Sequence, residues 1–115
     1  GATTADARTR EAVIQATGEL VDALVAANGI DTRDIAAAYF TTSPDLAVEY
    51  PASAARMNGW DKVPLMSAQE VAVPNGQERC IRVLVLWNTE RSQSEIEHVY
   101  LRDAYNLRQR TGRAL

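Results

Sequence analysis

The most apolar stretch of the chain is CIRVLVLWN, which occupies residues 80–88. Apolar residues follow one another there almost without interruption, a pattern typical of a β-strand that is covered on both faces. Arg82 interrupts the run between Ile81 and Val83. Burying a lone guanidinium costs much free energy, so Arg82 needs an anionic partner if it is buried. We therefore predict a central strand over this stretch, with Arg82 as its most informative residue.

Two helices are predicted before this strand. Residues 9–28 carry apolar side chains at three- and four-residue spacing, and Asn28-Gly29 is a typical helix end. Asp31 is expected to cap a short helical turn after it. Pro51 suits the first turn of a second helix, because a backbone N–H at that position would have no partner within the helix and proline has no N–H. This second helix is expected to end near residues 58–59.

Further strands are predicted around the central one. Residues 35–42 and 63–68 contain the β-branched and aromatic residues typical of strands, and residues 74–76, Pro-Asn-Gly, predict a turn. Residues 1–8 are expected to be irregular, and residues 95–101 fit either a strand or a short connection. The mixed order of elements predicts one α+β or α/β domain over residues 1–115.

The composition restricts the classes of function. The net charge of −3 argues against a nucleic-acid surface. The only cysteine, Cys80, cannot form an internal disulfide, and with one histidine it cannot build a zinc site. No apolar run reaches the length of a membrane span, and no phosphate-loop, dinucleotide or nucleophile-elbow motif occurs. We predict a cytoplasmic protein that uses no metal or cofactor and binds neither nucleic acid nor membrane.

Arg82 and Glu70 are the first candidates for a functional site. Arg82 either reaches solvent or a structural carboxylate from the end of its strand, or it faces a pocket that receives an anionic ligand. Glu70 could be its internal partner if their two strands are neighbours. Spacing alone favours a structural or solvated Glu70 over a catalytic one.

The remaining candidates have ordinary structural interpretations. Arg56 fits a surface arginine, Tyr50 a core or turn aromatic, and Tyr100 a packed aromatic. His98 is expected to be hydrogen-bonded or exposed rather than to act as a base. An arginine pocket without nucleophile, metal or cofactor suits the binding of a carboxylate compound. It also suits a reaction that needs only positioning and charge stabilisation.

Several segments, taken in order, resemble the monofunctional, trimeric bacterial chorismate mutases. They are GATT at residues 1–4, SPDL at 43–46 with YPA at 50–52, GW at 59–60 with VPL at 63–65, AQE at 68–70, RCIRV at 79–83, and QSEI at 93–96 with HVYL at 98–101. The resemblance extends to about residue 108. It implies an α+β pseudo-barrel: a mixed sheet with helices on one side, three chains around an axis, and active sites in clefts between neighbours.

The resemblance also implies a reaction and residue roles. Chorismate is rearranged to prephenate without cofactor or covalent intermediate. Arg82 matches an arginine beside the ether oxygen of the substrate, Glu70 a carboxylate that holds the substrate hydroxyl and orients arginines, and Tyr100 a tyrosine at a substrate carboxylate. The implied substrate-binding residues are Arg56 at the pocket mouth, Tyr50 as an apolar wall, Ser67 in place of a small thiol residue, and Leu107 with Arg108 in a closing C-terminal segment.

The chain departs from the family pattern at both ends. The family carries an arginine that grips a substrate carboxylate immediately before the glycine matched by Gly1. We expect the encoded protein to contain a first strand that ends in this arginine. Residues 105–111 lack the usual Arg-Pro-Asp-Leu ending. The alternatives to a chorismate mutase are a non-catalytic trimeric domain that binds small carboxylates, and a mutase that acts on a relative of chorismate.

Overall fold

A mixed four-stranded sheet organises the computed structural model, which describes residues 1–107. Its strands are β1 (Ala2–Thr4), β2 (Ile35–Thr42), β3 (Leu65–Gln69) and β4 (Cys80–Trp87), in the spatial order β1-β4-β2-β3. The β2–β3 pair is parallel, and β4 runs antiparallel to both β1 and β2. The central strand predicted from the apolar run is therefore β4, which lies inside the sheet between β1 and β2.

Two helices, α1 (Arg10–Asn28) and α2 (Pro51–Met57), cover one face of the sheet. At the start of α1, the Thr9 hydroxyl accepts a hydrogen bond from the Ala12 N–H at 3.2 Å, which satisfies one otherwise unpaired donor. At its end, Gly29 adopts a left-handed conformation with φ of 64°, which a glycine reaches without steric cost. The predicted helix and its caps are confirmed to within one residue.

The core lies between these helices and the sheet. Leu20, Val21 and Leu24 of α1 pack with Phe40 and Val83 of the sheet. Trp60, just after α2, is 1% exposed, and its ring centroid lies 6.4 Å from that of Phe40. Helices on one side of a mixed sheet make this an α+β fold, as the resemblance implied.

Three element predictions need correction or refinement. Residues 1–8 are not irregular throughout, because Ala2–Thr4 forms β1; a three-residue strand has no local periodicity, and its partner β4 lies far along the chain. β3 begins two residues later than predicted, since Val63 packs in the core before the strand starts. The ambiguous residues 95–101 form an extended segment after a short turn at Gln93–Glu95, and Tyr100 pairs with Ala2.

The second face of the sheet, here called the outer face, is covered near β1 by the turn at Arg102–Ala104 but is largely left open by the described chain over β2, β3 and the C-terminal half of β4. It exposes the large apolar side chains Tyr39 (40%), Met66 (62%), Leu84 (61%) and Leu86 (44%). The expectation of a strand buried on both faces is thus met by β4 on its helix side only. Separately, no helix within residues 1–107 combines the length and apolar character of a membrane-crossing segment.

Candidate active site

Arg82 projects from the middle of the sheet onto the outer face. In the ladder it lies opposite Ala2 of β1 on one side and Thr41 of β2 on the other. Its Nε and one Nη each lie 2.5 Å from Oε2 of Glu70. The side chains of Arg82 and Glu70 are 35% and 27% exposed, so solvent only partly screens this ion pair. Arg82 therefore has a carboxylate partner, as the structural interpretation required. It also faces an accessible surface, as the ligand-binding interpretation required.

Glu70 reaches Arg82 across an intervening strand. From the sequence, this pairing depended on β3 and β4 being neighbours, but β2 lies between them. Glu70 continues β3, where its N–H donates to the Thr42 carbonyl at 2.9 Å. Its carboxylate then passes over Thr41, whose hydroxyl donates to Oε2 at 2.6 Å. The contact between Glu70 and Arg82 thus includes Thr41, a residue that the sequence pattern marked only as part of a strand.

Glu70 and Arg82 border a cleft of about 550 Å³, here called the Arg82 cleft. Leu107, Cys80 and the turn at Ser43-Pro44-Asp45 also line it. Within residues 1–107, Oε1 of Glu70 and Nη1 of Arg82 form no hydrogen bond. The cleft therefore offers one carboxylate oxygen as an acceptor and guanidinium N–H groups as donors to a ligand.

The wall of the Arg82 cleft is fixed where β4 begins. The Ser43 hydroxyl accepts from the Cys80 N–H at 2.9 Å. Asp45 Oδ2 accepts from the Arg79 N–H at 2.9 Å and from Arg8 Nε at 3.0 Å. Burial would raise the pKa of Asp45, but the hydrogen bonds from Ser43, Arg79 and Arg8 outweigh it and lower the pKa overall. From the sequence, this Ser-Pro-Asp turn contributed to the family resemblance but was not predicted to line the site.

Cys80 lines the cleft as an uncharged group. Burial raises the pKa of its thiol to about 11, although the nearby Arg82 acts in the opposite direction. The thiol therefore stays protonated at neutral pH and is a poor nucleophile. Within residues 1–107, no group of histidine, cysteine, aspartate and glutamate side chains is arranged to hold a metal ion.

Tyr100 lies on the same face as Arg82. It pairs with Ala2, and Ala2 pairs with Arg82, so the three residues form a row across the sheet. Paired residues in neighbouring strands project to the same face, which places Tyr100 and Arg82 about 10 Å apart at their backbones with a small alanine between them. Leu107 lies at the Arg82 cleft, whereas Arg108 lies outside the described residues.

The other predicted site residues lie apart from Arg82. Tyr50 and Ser67 line a second cleft of about 440 Å³, here called the Tyr50 cleft. Ser67 pairs with the core residue Phe40 and so faces the helix side of the sheet. Its hydroxyl oxygen is buried and has no hydrogen-bond partner within the described residues. Tyr50 is 69% exposed before α2, and Arg56 is exposed on that helix.

One chain thus brings together Arg82, Glu70 and Leu107, with Tyr100 on the same face, but it separates them from Tyr50 and Ser67. Strand alternation causes the separation, because Ser67 and Arg82 project from opposite faces of one sheet. The two clefts approach each other where β2 and β3 end, because Gln69 lines one and Glu70 the other, and the turn that includes Pro44–Leu46 contributes residues to both.

Comparisons with known proteins agree on one family. The family model described as chorismate mutase type I matches residues 1–111. A protein named chorismate mutase AroH from Thermus thermophilus is 50% identical over 109 residues, which cover 94% of this chain and 89% of that protein. The protein of the same name from Bacillus subtilis (strain 168) is 36% identical over 109 residues, covering 94% and 86%. A solved chorismate mutase from Clostridium thermocellum superposes with a TM-score of 0.90 at 38% identity, covering 92% of this chain and 95% of that one.

Proposed function

Because this chain belongs to the type I chorismate mutase family, we propose that it assembles as a homotrimer whose active sites lie between subunits. The enzyme is an isomerase that performs the Claisen rearrangement of chorismate to prephenate in aromatic amino-acid biosynthesis. In the proposed pseudo-barrel assembly, the Arg82 cleft of one chain meets the Tyr50 cleft of its neighbour. Each site then contains all the site residues that the family resemblance implied.

The observation that carries this proposal is the separation of the two clefts on one chain. Two groups of side chains on opposite faces of one sheet cannot surround one small substrate within that chain. The exposed apolar side chains Tyr39, Leu84 and Leu86 lie on the same face as Arg82. An exposed apolar patch of this kind is typical of a protein interface. A neighbour that covers the patch would also bring its own residues to the Arg82 cleft.

Arg82 is proposed to supply the main stabilisation of the transition state. The rearrangement breaks a C–O bond while a C–C bond forms within the same molecule, so no proton or electron enters or leaves. Negative charge grows on the ether oxygen as the C–O bond lengthens. A guanidinium already held by Glu70 can donate to that oxygen without reorganising, and this lowers the barrier. Arginine suits the position because its planar fork stays charged while one edge binds Glu70.

The other residues are proposed to hold the substrate as a compact conformer. Glu70 Oε1 accepts from the substrate hydroxyl, and Tyr100 contacts a substrate carboxylate. Arg56, Tyr50 and Ser67 come from the neighbouring chain, where the unpaired Ser67 hydroxyl gains a polar partner in the ligand. Leu107 borders the site on the side of Arg82, and Arg108 follows it. Holding reactants in the productive geometry is a large part of catalysis in a unimolecular reaction.

The compartment proposed for the enzyme is the cytoplasm. Its single cysteine and the absence of a structural disulfide suit a reducing compartment.

A mixed-subunit experiment tests the shared site. Chains carrying Arg82→Ala and chains carrying Arg56→Ala are each expected to be inactive. If they are unfolded together and refolded at equal ratio, one site in four should pair an intact Arg82 with an intact Arg56. The mixture should then recover about a quarter of wild-type activity, given a cyclic assembly in which each interface joins two different patches. Chorismate loss is followed by its ultraviolet absorbance.

The control mixes two chains that share a defect, Arg82→Ala with Arg82→Lys, and should recover nothing beyond the activity of its parents. No recovery in the Arg82/Arg56 mixture, with trimers present by light scattering, would place both residues in one chain's site. A stable monomer with full activity would contradict the proposed homotrimer.

A further inference from the structure

We propose that Thr41 is a positioning residue for the active site, acting through the carboxylate of Glu70. The inference rests on the proposed role of Glu70 as the group that holds the substrate hydroxyl. Thr41 lies on β2, between the strand that carries Arg82 and the strand that leads to Glu70.

The hydrogen bonds of Glu70 are distributed unequally between its two carboxylate oxygens. Oε2 accepts from the Thr41 hydroxyl at 2.6 Å, and Arg82 Nε lies 2.5 Å from the same atom. One Nη of Arg82 also lies 2.5 Å from Oε2. Oε1 accepts no hydrogen bond within the described residues 1–107. One oxygen is therefore held by two hydrogen bonds and a further ion-pair contact, while the other is left for a ligand.

Arg82 alone does not fix the orientation of this carboxylate. A guanidinium and a carboxylate commonly pair through two parallel hydrogen bonds, one to each oxygen. That bidentate arrangement would occupy Oε1 as well as Oε2. The Thr41 hydroxyl adds a third donor to Oε2 from the strand beneath, and it favours the arrangement in which Oε2 takes both guanidinium contacts. Thr41 thereby keeps Oε1 available.

The backbone of Thr41 is held by neighbouring strands on both sides. It pairs with Arg82 on one side and with Ala68 on the other, and the next residue, Thr42, accepts the Glu70 N–H through its carbonyl. Both ends of Glu70, its backbone and its carboxylate, are thus bonded to two consecutive residues of β2. Thr41 needs no motion to act, because its χ1 angle is restricted by the β-branched side chain.

The expected consequence is a defect in substrate binding. The substrate hydroxyl is present in chorismate and in the transition state alike, so its contact with Oε1 is equal in both. Losing an interaction that is uniform between ground and transition states raises KM and leaves kcat nearly unchanged. Loss of Arg82, in contrast, should lower kcat, because charge on the ether oxygen develops only in the transition state.

The test uses Thr41→Val, Thr41→Ala and Thr41→Ser in the full chain. Valine keeps the shape and removes the hydroxyl, alanine removes it without crowding Glu70, and serine keeps it. We expect KM for chorismate to rise about ten-fold in the valine and alanine variants, with kcat within about two-fold, and serine to restore KM. Thr3→Val is the matched control, because the Thr3 hydroxyl is buried in β1 without a partner among the described residues and should leave KM unchanged.

A double-mutant cycle separates positioning from structure. The cycle uses the affinity for the product prephenate, because this can be measured without turnover. If Thr41 acts through Glu70, Thr41→Val should weaken prephenate binding in the wild-type background but have no further effect in a Glu70→Ala background. Equal losses in both backgrounds, or wild-type KM in the folded valine and alanine variants, would overturn the inference. An inactive wild-type protein would instead contradict the proposed function. The melting temperature of each variant shows whether any loss of affinity reflects unfolding.

Discussion

The two faces of β4 carry similar apolar residues but differ in how far these residues are exposed to solvent. Ile81 and Val83 point to the helices and are at most 5% exposed, whereas Leu84 and Leu86 point outward and are 61% and 44% exposed. The first pair is buried by α1 and α2 of the same chain. The second pair is left for another molecule to cover. The chain therefore completes one hydrophobic core by folding and, in the proposed trimer, a second by assembly.

The chemistry lies on the face that the chain leaves open. Arg82 alternates with Leu84 on the outer face, and its partner Glu70 reaches that face over Thr41. A neighbouring chain that excludes water there would strengthen the ion pair and every contact it makes with a dianionic substrate. The catalytic rate would then depend on the same contact between chains that buries Leu84.

The largest effect should come from placing a charge on each face in turn. Val83→Asp puts a carboxylate into the core and should abolish folding, because an isolated buried charge has no compensating partner. Leu84→Asp should fold, dissociate into monomers and lose most activity. Circular dichroism and light scattering distinguish the two outcomes. A Leu84→Asp trimer with full activity would mean that the outer face is not the interface.

A smaller effect, confined to the reaction, should follow from removing the charge that the outer face carries. Arg82→Ala should lower kcat by about 10²–10³, the cost of losing one preorganised donor, while the melting temperature changes little. Arg82→Lys should also be poor, because a single ammonium cannot bind Glu70 and the ether oxygen with the same fork. Arg33→Ala is the control, since Arg33 is exposed and pairs with Asp31. Near-normal turnover by Arg82→Ala would contradict the mechanism.

A lower KM for chorismate should come from extending β1 beside β4, before Gly1. Gly1 and Val83 exchange hydrogen bonds at 2.9 and 3.0 Å, so the ladder already reaches Gly1. The register places a residue added before Gly1 opposite Leu84, on the same face as Arg82. A groove lined by Val85, Trp87 and Ile96 continues beyond Gly1 and can accept the added strand.

A short apolar segment ending in arginine, added before Gly1, should lower KM for chorismate about ten- to a hundred-fold, since it gives a substrate carboxylate a bidentate partner. The same segment ending in glutamine is the control. Equal KM values for the two extended chains would show that this position does not contact the substrate.

Sequence patterns predicted the elements better than the contacts between them. The helix over residues 10–28, β2 and β4 follow from periodicity and caps, which are local properties. β1 was missed because its three residues acquire strand geometry only through Ala2, Thr3 and Thr4 pairing with β4. Thr41 was missed for a related reason: its position beneath Glu70 depends on the order in which strands are placed, and nothing local encodes that order.

The site residues show the same limit. Arg82 stood out because a charge within an apolar run demands an explanation, and the structure supplies Glu70. Tyr50, Ser67 and Arg56 came from resemblance alone, and on one chain they lie away from Arg82. Their place in one active site follows from assembly, which a single chain's periodicity does not contain.

The strand order also determines when each strand can find its pairing partner during synthesis. β1 is made before its pairing partners, which are residues 80–82 of β4 and Tyr100 of the extended segment. A ribosome that adds about 5–20 residues per second makes those partners only several seconds after β1. Throughout that interval Ala2–Thr4 has no strand to join, while α1, β2, α2 and β3 can already collapse together. Ala2–Thr4 is therefore made well before it can become ordered, and a chain released before Tyr100 would lack the pairing partner on one side of β1.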